Sequence, residues 1–195
     1  MWPLLLLSII TLACVIDRLF FWTDLNKKNK RLPKLILEKY KENSNNFLDF
    51  LNKKTNNPYS KILINIFNMD FSNEKDFENG LEMNLINMNK EFNKYGYIFN
   101  LTIGIAPLLG LLGTILGLMD SFSFIDLGSV GTNAKEVTGG ISEALVSTAY
   151  GLIIAIFTIS FTSYFNSCIK DEIISLREFG IKFKILFFKD FSKQR

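Results

Sequence analysis

The sequence predicts an all-α membrane protein: three transmembrane helices joined to long helical cytoplasmic extensions. Three observations predict it. Although 48% of the 195 residues are hydrophobic, the 22 Lys and Arg and 19 Asp and Glu are nearly absent from three long apolar stretches, and such segregation of charge marks a membrane chain. Each stretch is long enough to cross a bilayer core. The basic residues between them are distributed with one consistent asymmetry.

The first span is residues 1–22. It is uncharged as far as Ile16 and reaches Asp17 and Arg18 only near its end, which at helical rise covers roughly 30 Å. Trp2 at one end and Phe20, Phe21 and Trp22 at the other suit an interfacial aromatic belt. No Lys or Arg precedes the apolar run, no small-x-small site follows it, and Thr11-Leu12-Ala13-Cys14 is a poor lipoprotein signal. An uncleaved helix is therefore expected rather than a signal peptide.

The second span is residues 97–119 and the third 141–168. Lys27, Lys28, Lys30, Arg31 and Lys34 follow the first span, Lys90 and Lys94 precede the second, and Lys170, Arg177, Lys182 and Lys184 follow the third. The 120–140 connection holds only Lys135. The positive-inside rule then places the N-terminus outside, 23–96 in the cytoplasm, 120–140 outside as an extracytoplasmic loop, and the 169–195 tail in the cytoplasm.

In the 23–96 segment, apolar residues recur at helical spacing: Leu32, Leu35, Ile36, then Phe47, Leu48, Phe50, Leu51, then Ile62, Leu63, Ile66, Phe67. Short amphipathic helices are expected, broken at Asn56-Asn57-Pro58 and near Ser72-Asn73. Phe77, Leu81, Leu85, Met88 and Phe92 extend the pattern, and this helix is expected to run on into the second span. Ile169, Ile173, Leu176, Phe183, Leu186 and Phe187 predict a similar extension after the third, with Ser192 to Arg195 frayed. No fixed-period repeat and no low-complexity tract interrupts the chain.

Much chemistry is excluded. The chain has no His, and its two cysteines, Cys14 and Cys168, belong to different spans, so Cys/His metal spacing is missing. There is no G-x-x-x-x-G-K-[ST] phosphate loop and no nucleophile–base pair. Neither an enzyme nor a cofactor is expected, nor is nucleic acid a partner. Any work the protein does then draws on an ion gradient across the bilayer.

The polar groups that remain lie on two helix faces. Gly110, Thr114, Gly117 and Ser121 form one stripe; Ala144, Thr148, Gly151, Ala155, Thr158 and Thr162 form another. Small-xxx-small packing accounts for the glycines Gly110, Gly113, Gly117 and Gly151, whereas the hydroxyls fit packing and pore lining equally. Glu143 reads either as an interfacial acid favoured by a nearby helix N-terminus or as a functional carboxylate before an apolar run.

Ala106-Pro107-Leu108-Leu109-Gly110-Leu111-Leu112-Gly113-Thr114, followed by Gly140-Ile141-Ser142-Glu143-Ala144-Leu145-Val146-Ser147-Thr148-Ala149-Tyr150-Gly151-Leu152, closely resembles the signature of the MotA/TolQ/ExbB proton-channel family over about residues 97–168. The resemblance implies a multi-pass inner-membrane subunit, a homopentamer around the single transmembrane helices of an ExbD/TolR-type partner. Such a complex uses the proton motive force to move an envelope-spanning TonB- or TolA-type protein, with Na+ as the alternative ion. It also implies that Thr114 and Thr148 line the ion path, in the outer half of the bilayer at similar depth, with Glu143 about 7 Å further out. The carboxylate at Glu143 points to the ExbB/TolQ branch, since flagellar MotA-type subunits usually have four spans and no acid there. The chain departs from the pattern at Ile156-Phe157, where many members carry proline, at Tyr150, which is bulkier than usual, and in its short polar loop.

Three alternatives stand beside that reading. A TolQ-like subunit would serve envelope integrity rather than outer-membrane transport, and a three-span scaffold would assemble a complex without conducting. A solute transporter acting alone would show inverted repeats or a broken midplane helix, and neither is visible.

Overall fold

A computed structural model describes residues 2–29, 31–42, 47–55, 57–69, 73–123 and 133–193. Among these the regular structure is entirely helical, in seven helices: α1 (Trp2–Asn29), α2 (Leu32–Glu42), α3 (Phe47–Asn52), α4 (Pro58–Phe67), α5 (Glu74–Phe92), α6 (Gly96–Ser123) and α7 (Asn133–Lys193). Three stretches are long and apolar enough to cross a membrane, one starting at Trp2, one being α6, and one running through α7 from Thr138. The protein is a multi-pass all-α membrane protein. Residues 124–132 of the 120–140 connection lie outside the described residues, as do Asn56, Ser72 and the last two residues of the tail.

The chain divides into two compact units. The first comprises Met1–Arg18 and Tyr95–Phe165. Its helices α6 and α7 run antiparallel, because Gly110 meets Gly151, Gly117 meets Ala144 and Ser121 meets Gly140 in turn. Where water is absent, close backbone approach and hydroxyl bonds replace hydrophobic burial as the source of helix association. Thr11 of α1 and Thr102 of α6 share a buried hydroxyl–hydroxyl bond of 2.9 Å. Phe99 stacks on Phe165 with ring centroids 5.9 Å apart. Pro107 sits inside α6, and its missing N–H is tolerable in a membrane-spanning helix whose neighbours shield the backbone.

The second unit comprises Leu19–Lys94 and Asn166–Arg195. The helices α2 to α5 and the end of α7 turn the faces predicted by their apolar spacing inward: Ile36, Leu51, Ile62, Leu63, Ile66, Phe77, Leu176 and Phe183 are fully buried. Phe183 is the hub. It stacks on Phe47 at 5.7 Å and meets the rings of Tyr40 at 4.9 Å and Phe67 at 5.9 Å. Asn57 and Asn73 cap α4 and α5, each side chain accepting a backbone N–H.

A polar thread ties three helices of this unit together. Asn57 donates to Asn29 at 2.7 Å, and Asn29 donates to the Glu172 carboxylate at 2.6 Å. Burial pushes Glu172 above the usual carboxylate range, against the lowering effect of the hydrogen bonds from Tyr59 and Asn29. Burial, reinforced by the neighbouring Glu172 charge, likewise pushes the Tyr59 hydroxyl upward.

The expected continuous helix from Asp76 into the second span is broken. Helix α5 ends at Phe92 with Asn93 as its C-cap, and α6 starts at Gly96. An Asn side chain competes for backbone hydrogen bonds and Gly has low helix propensity, so the pair supplies a natural interruption. Conversely, α7 is one helix of 61 residues, beginning earlier than Ile141.

Candidate ion path between α6 and α7

The α6–α7 contact is built on missing side chains. A Cβ on Gly110 would lie 3.0 Å from the Ser147 carbonyl oxygen, one on Gly117 2.9 Å from the Ala144 Cβ, and one on Gly151 2.5 Å from the Ala106 carbonyl oxygen. At Gly113 a Cβ would collide with the Ser147 hydroxyl. These approaches bring Thr114 and Thr148 side by side, and their hydroxyls bond to each other. The Thr114 hydroxyl also lies 3.2 Å from both the Gly110 and Ala144 carbonyl oxygens, and that of Thr148 lies 3.1 Å from the Gly110 carbonyl oxygen. Both threonines are half-buried.

The remaining hydroxyls of the stripes are turned to their own backbones. Ser121 donates to Gly117, Thr158 to Ile154 and Thr162 to Thr158. Back-bonding of this kind satisfies the hydroxyl inside an apolar surrounding.

Glu143 is exposed and forms none of the hydrogen bonds of the threonine pair. It borders an open cleft of about 720 Å³ lined also by Gly113, Gly117, Asp120, Gly140 and Ser147. The pair adjoins this lining, since Thr114 follows Gly113 and Thr148 follows Ser147. Because α7 begins at Asn133, Glu143 lies beyond its first turn, where the N-terminal dipole has faded.

Other polar residues escaped the sequence pattern. Thr11 and Thr102 show only as single hydroxyls in apolar runs, and their spacing in sequence carries no hint that they meet. Arg18 is buried, its guanidinium 4.9 Å from the Tyr95 ring centroid and paired with Asp17 at 3.5 Å. The charge of Arg18 near the end of the first span was the available signal. Asp120 and Ser147 sit one residue off the stripes, beside Ser121 and Thr148, so helical spacing does not single them out.

Three membrane-crossing helices, two of them in glycine-mediated contact around paired hydroxyls, define a multi-pass all-α membrane protein. The chain belongs to the MotA/TolQ/ExbB proton channel family, whose profile matches residues 48–178. It is 37% identical over 180 residues to "Putative biopolymer transport protein ExbB-like 3" of Synechocystis sp., covering 92% of this chain and 83% of that one. It is 28% identical over 161 residues to an ExbB-like 1 protein of the same organism, covering 82% of this chain and 63% of that protein. With the biopolymer transport protein ExbB of Aquifex aeolicus it shares 42% identity over 69 residues, 35% of this chain and 46% of that protein. The chain thus spans less than two thirds of the length of the last two.

Proposed function

We propose that this protein is the channel-forming subunit of an inner-membrane motor that converts the proton motive force into mechanical work on the cell envelope, most simply to energise outer-membrane transport. It acts as a homopentamer with an ExbD/TolR-type single-span partner, and through it on a TonB- or TolA-type protein. The coupling ion is H+, with Na+ as the competing ion, and no cofactor takes part. The observation that carries the reading is the Thr114–Thr148 hydroxyl pair formed across two membrane-spanning helices beside a cleft that holds Glu143. Family membership and the biopolymer transport names of its relatives support the same assignment. The orientation rests on the Lys and Arg distribution.

Proton flux into vesicles containing this chain and its partner tests the reading. Thr148→Val and Glu143→Ala are each expected to lower flux about tenfold or more, the scale on which positioned proton-transfer groups act. Unchanged flux in both variants removes these residues from the path.

A second reading, a non-conducting scaffold, draws on one observation: both threonine hydroxyls already reach backbone carbonyls within the chain. It expects Thr114→Val and Thr148→Val to be tolerated, with assembly lost in Gly113→Leu or Gly117→Leu.

A further inference from the structure

The buried seam that α7 presents within the second unit contains one carboxylate. Ile169, Glu172, Leu176, Phe179 and Phe183 follow one another at alternating spacings of three and four, the rhythm of a single helix face. The four apolar members are buried, so Glu172 occupies a place where the spacing calls for an apolar side chain. It is half-buried, and among the described residues no Lys or Arg pairs with it.

Its partners are neutral donors, and their order is fixed. The Asn57 side-chain oxygen accepts the Tyr59 N–H at 3.0 Å, the Asn57 amide donates to the Asn29 oxygen at 2.7 Å, and the Asn29 amide donates to Glu172 at 2.6 Å. The Tyr59 hydroxyl meets both Glu172 and Ser175, while its ring lies edge-on to Phe179 at 5.1 Å. Asn29 closes α1 and Asn57 caps α4, so three helices converge on one carboxyl. Lys27 of α1 and Lys170 and Asp171 of α7 are exposed, and Lys61 of α4 is paired with Glu91 of α5 at 2.7 Å. Among the described residues, Tyr59 is the titratable group that faces Glu172.

The two protonation states use this junction differently. An ionised Glu172 satisfies the Asn29 and Tyr59 donors but leaves a charge in an apolar seam without a cation. A protonated Glu172 keeps the Asn29 bond on one oxygen and donates its own hydrogen to the Tyr59 oxygen, with no charge left behind. Burial pushes the carboxyl upward in spite of the donors aimed at it, so relief of the charge outweighs their preference for the anion.

We propose that Glu172, Asn29, Asn57 and Tyr59 form a proton-operated clasp: with the carboxyl protonated, the end of α1 and the head of α4 are held on α7, and loss of the proton to water loosens both. The clasp requires no ion conduction by this chain. Under the proposed orientation and proton flow, the unit that carries it lies on the side receiving protons, so local acid tightens it; this last step alone rests on the proposed function.

Hydrogen exchange of the full chain in detergent, expressed as protection relative to intrinsic rates, tests the clasp. From about pH 5 to about pH 8, protection of residues 19–29 and 57–67 is expected to fall at least about threefold, because a raised carboxyl gives up its stabilisation as pH rises through its folded value. Residues 74–92 of α5 serve as the internal reference and are expected to stay level. Glu172→Gln, neutral at every pH, is expected to hold both segments at the acid level of the parent. Tyr59→Phe keeps the ring on Phe179 but removes a donor to the carboxylate, and is expected to move the fall to higher pH. No fall in the parent, or the same fall in Glu172→Gln, overturns the clasp. Should Glu172→Gln fail to fold, an unmoved midpoint in Tyr59→Phe overturns it equally.

Discussion

The two units of this chain solve the same problem, holding helices together, by opposite means. In the unit containing the α6–α7 contact, the deciding residues are small. Gly110, Gly117 and Gly151 let backbones touch, and hydroxyls bond to the carbonyls thereby exposed. In the other unit the deciding residues are large. Phe183 gathers rings from Tyr40, Phe47, Phe67 and Phe77, while ion pairs such as Lys184–Glu78 at 2.7 Å and Arg177–Glu82 at 3.0 Å lie at the surface. The contrast follows from the solvent. Water drives large apolar side chains inward, but lipid is as apolar as leucine and rewards only contact and hydrogen bonding.

The comparison can be broken from either side. The largest effect is expected for Phe183→Ala, which empties the ring hub and should cost about 3–5 kcal/mol, the usual range for a buried Phe. Thermal unfolding followed by near-ultraviolet circular dichroism reads it, and a loss below about 1 kcal/mol would mean that the ring cluster is not the core. Next is Gly151→Ala, which adds only one methyl group yet sets it against the Ala106 carbonyl oxygen. Overpacking of this kind costs about 1–3 kcal/mol, so this substitution should destabilise the detergent-solubilised protein although alanine favours helix. A neutral or stabilising result would show that the α6–α7 contact is looser than glycine packing requires.

The smallest effect is expected at Glu172. Its carboxyl is raised by burial, so the folded state holds the proton more tightly than the unfolded state does. The contribution of the proton is therefore full below the unfolded value and lost as pH rises through the folded one. Glu172→Gln should gain stability relative to the parent as pH rises from acid to neutral, with the two converging in acid. Parallel melting curves across that range would refute the buried-carboxylate account.

How much was legible in the sequence follows the same division. Apolar runs are read without knowing any partner, so the three spans and the inward faces of α4, α5 and the end of α7 were visible from spacing alone. The Thr114 and Thr148 positions were visible too, because a hydroxyl at four-residue intervals among glycines is a local pattern. What escaped depends on which distant residues meet. Asn29 and Glu172, like Thr11 and Thr102, are joined only by the fold. Ser147 escaped by being one residue off the stripe, and the break at Asn93 because apolar spacing continues across it while backbone geometry does not.

The hydroxyl pair has a property that no single threonine has. Two hydroxyl hydrogens are shared among the two threonine oxygens and the carbonyls of Gly110 and Ala144, and only one of the two hydroxyls can donate to the other at a time. The pair therefore has two proton orders, one with Thr148 donating to Thr114 and one with the roles reversed, and hydroxyl rotation alone interconverts them. Each order carries a local dipole of different direction, with no heavy atom displaced. The glycine-mediated contact of α6 with α7 thus contains an electrical degree of freedom, free to reverse while the packing around it stays fixed.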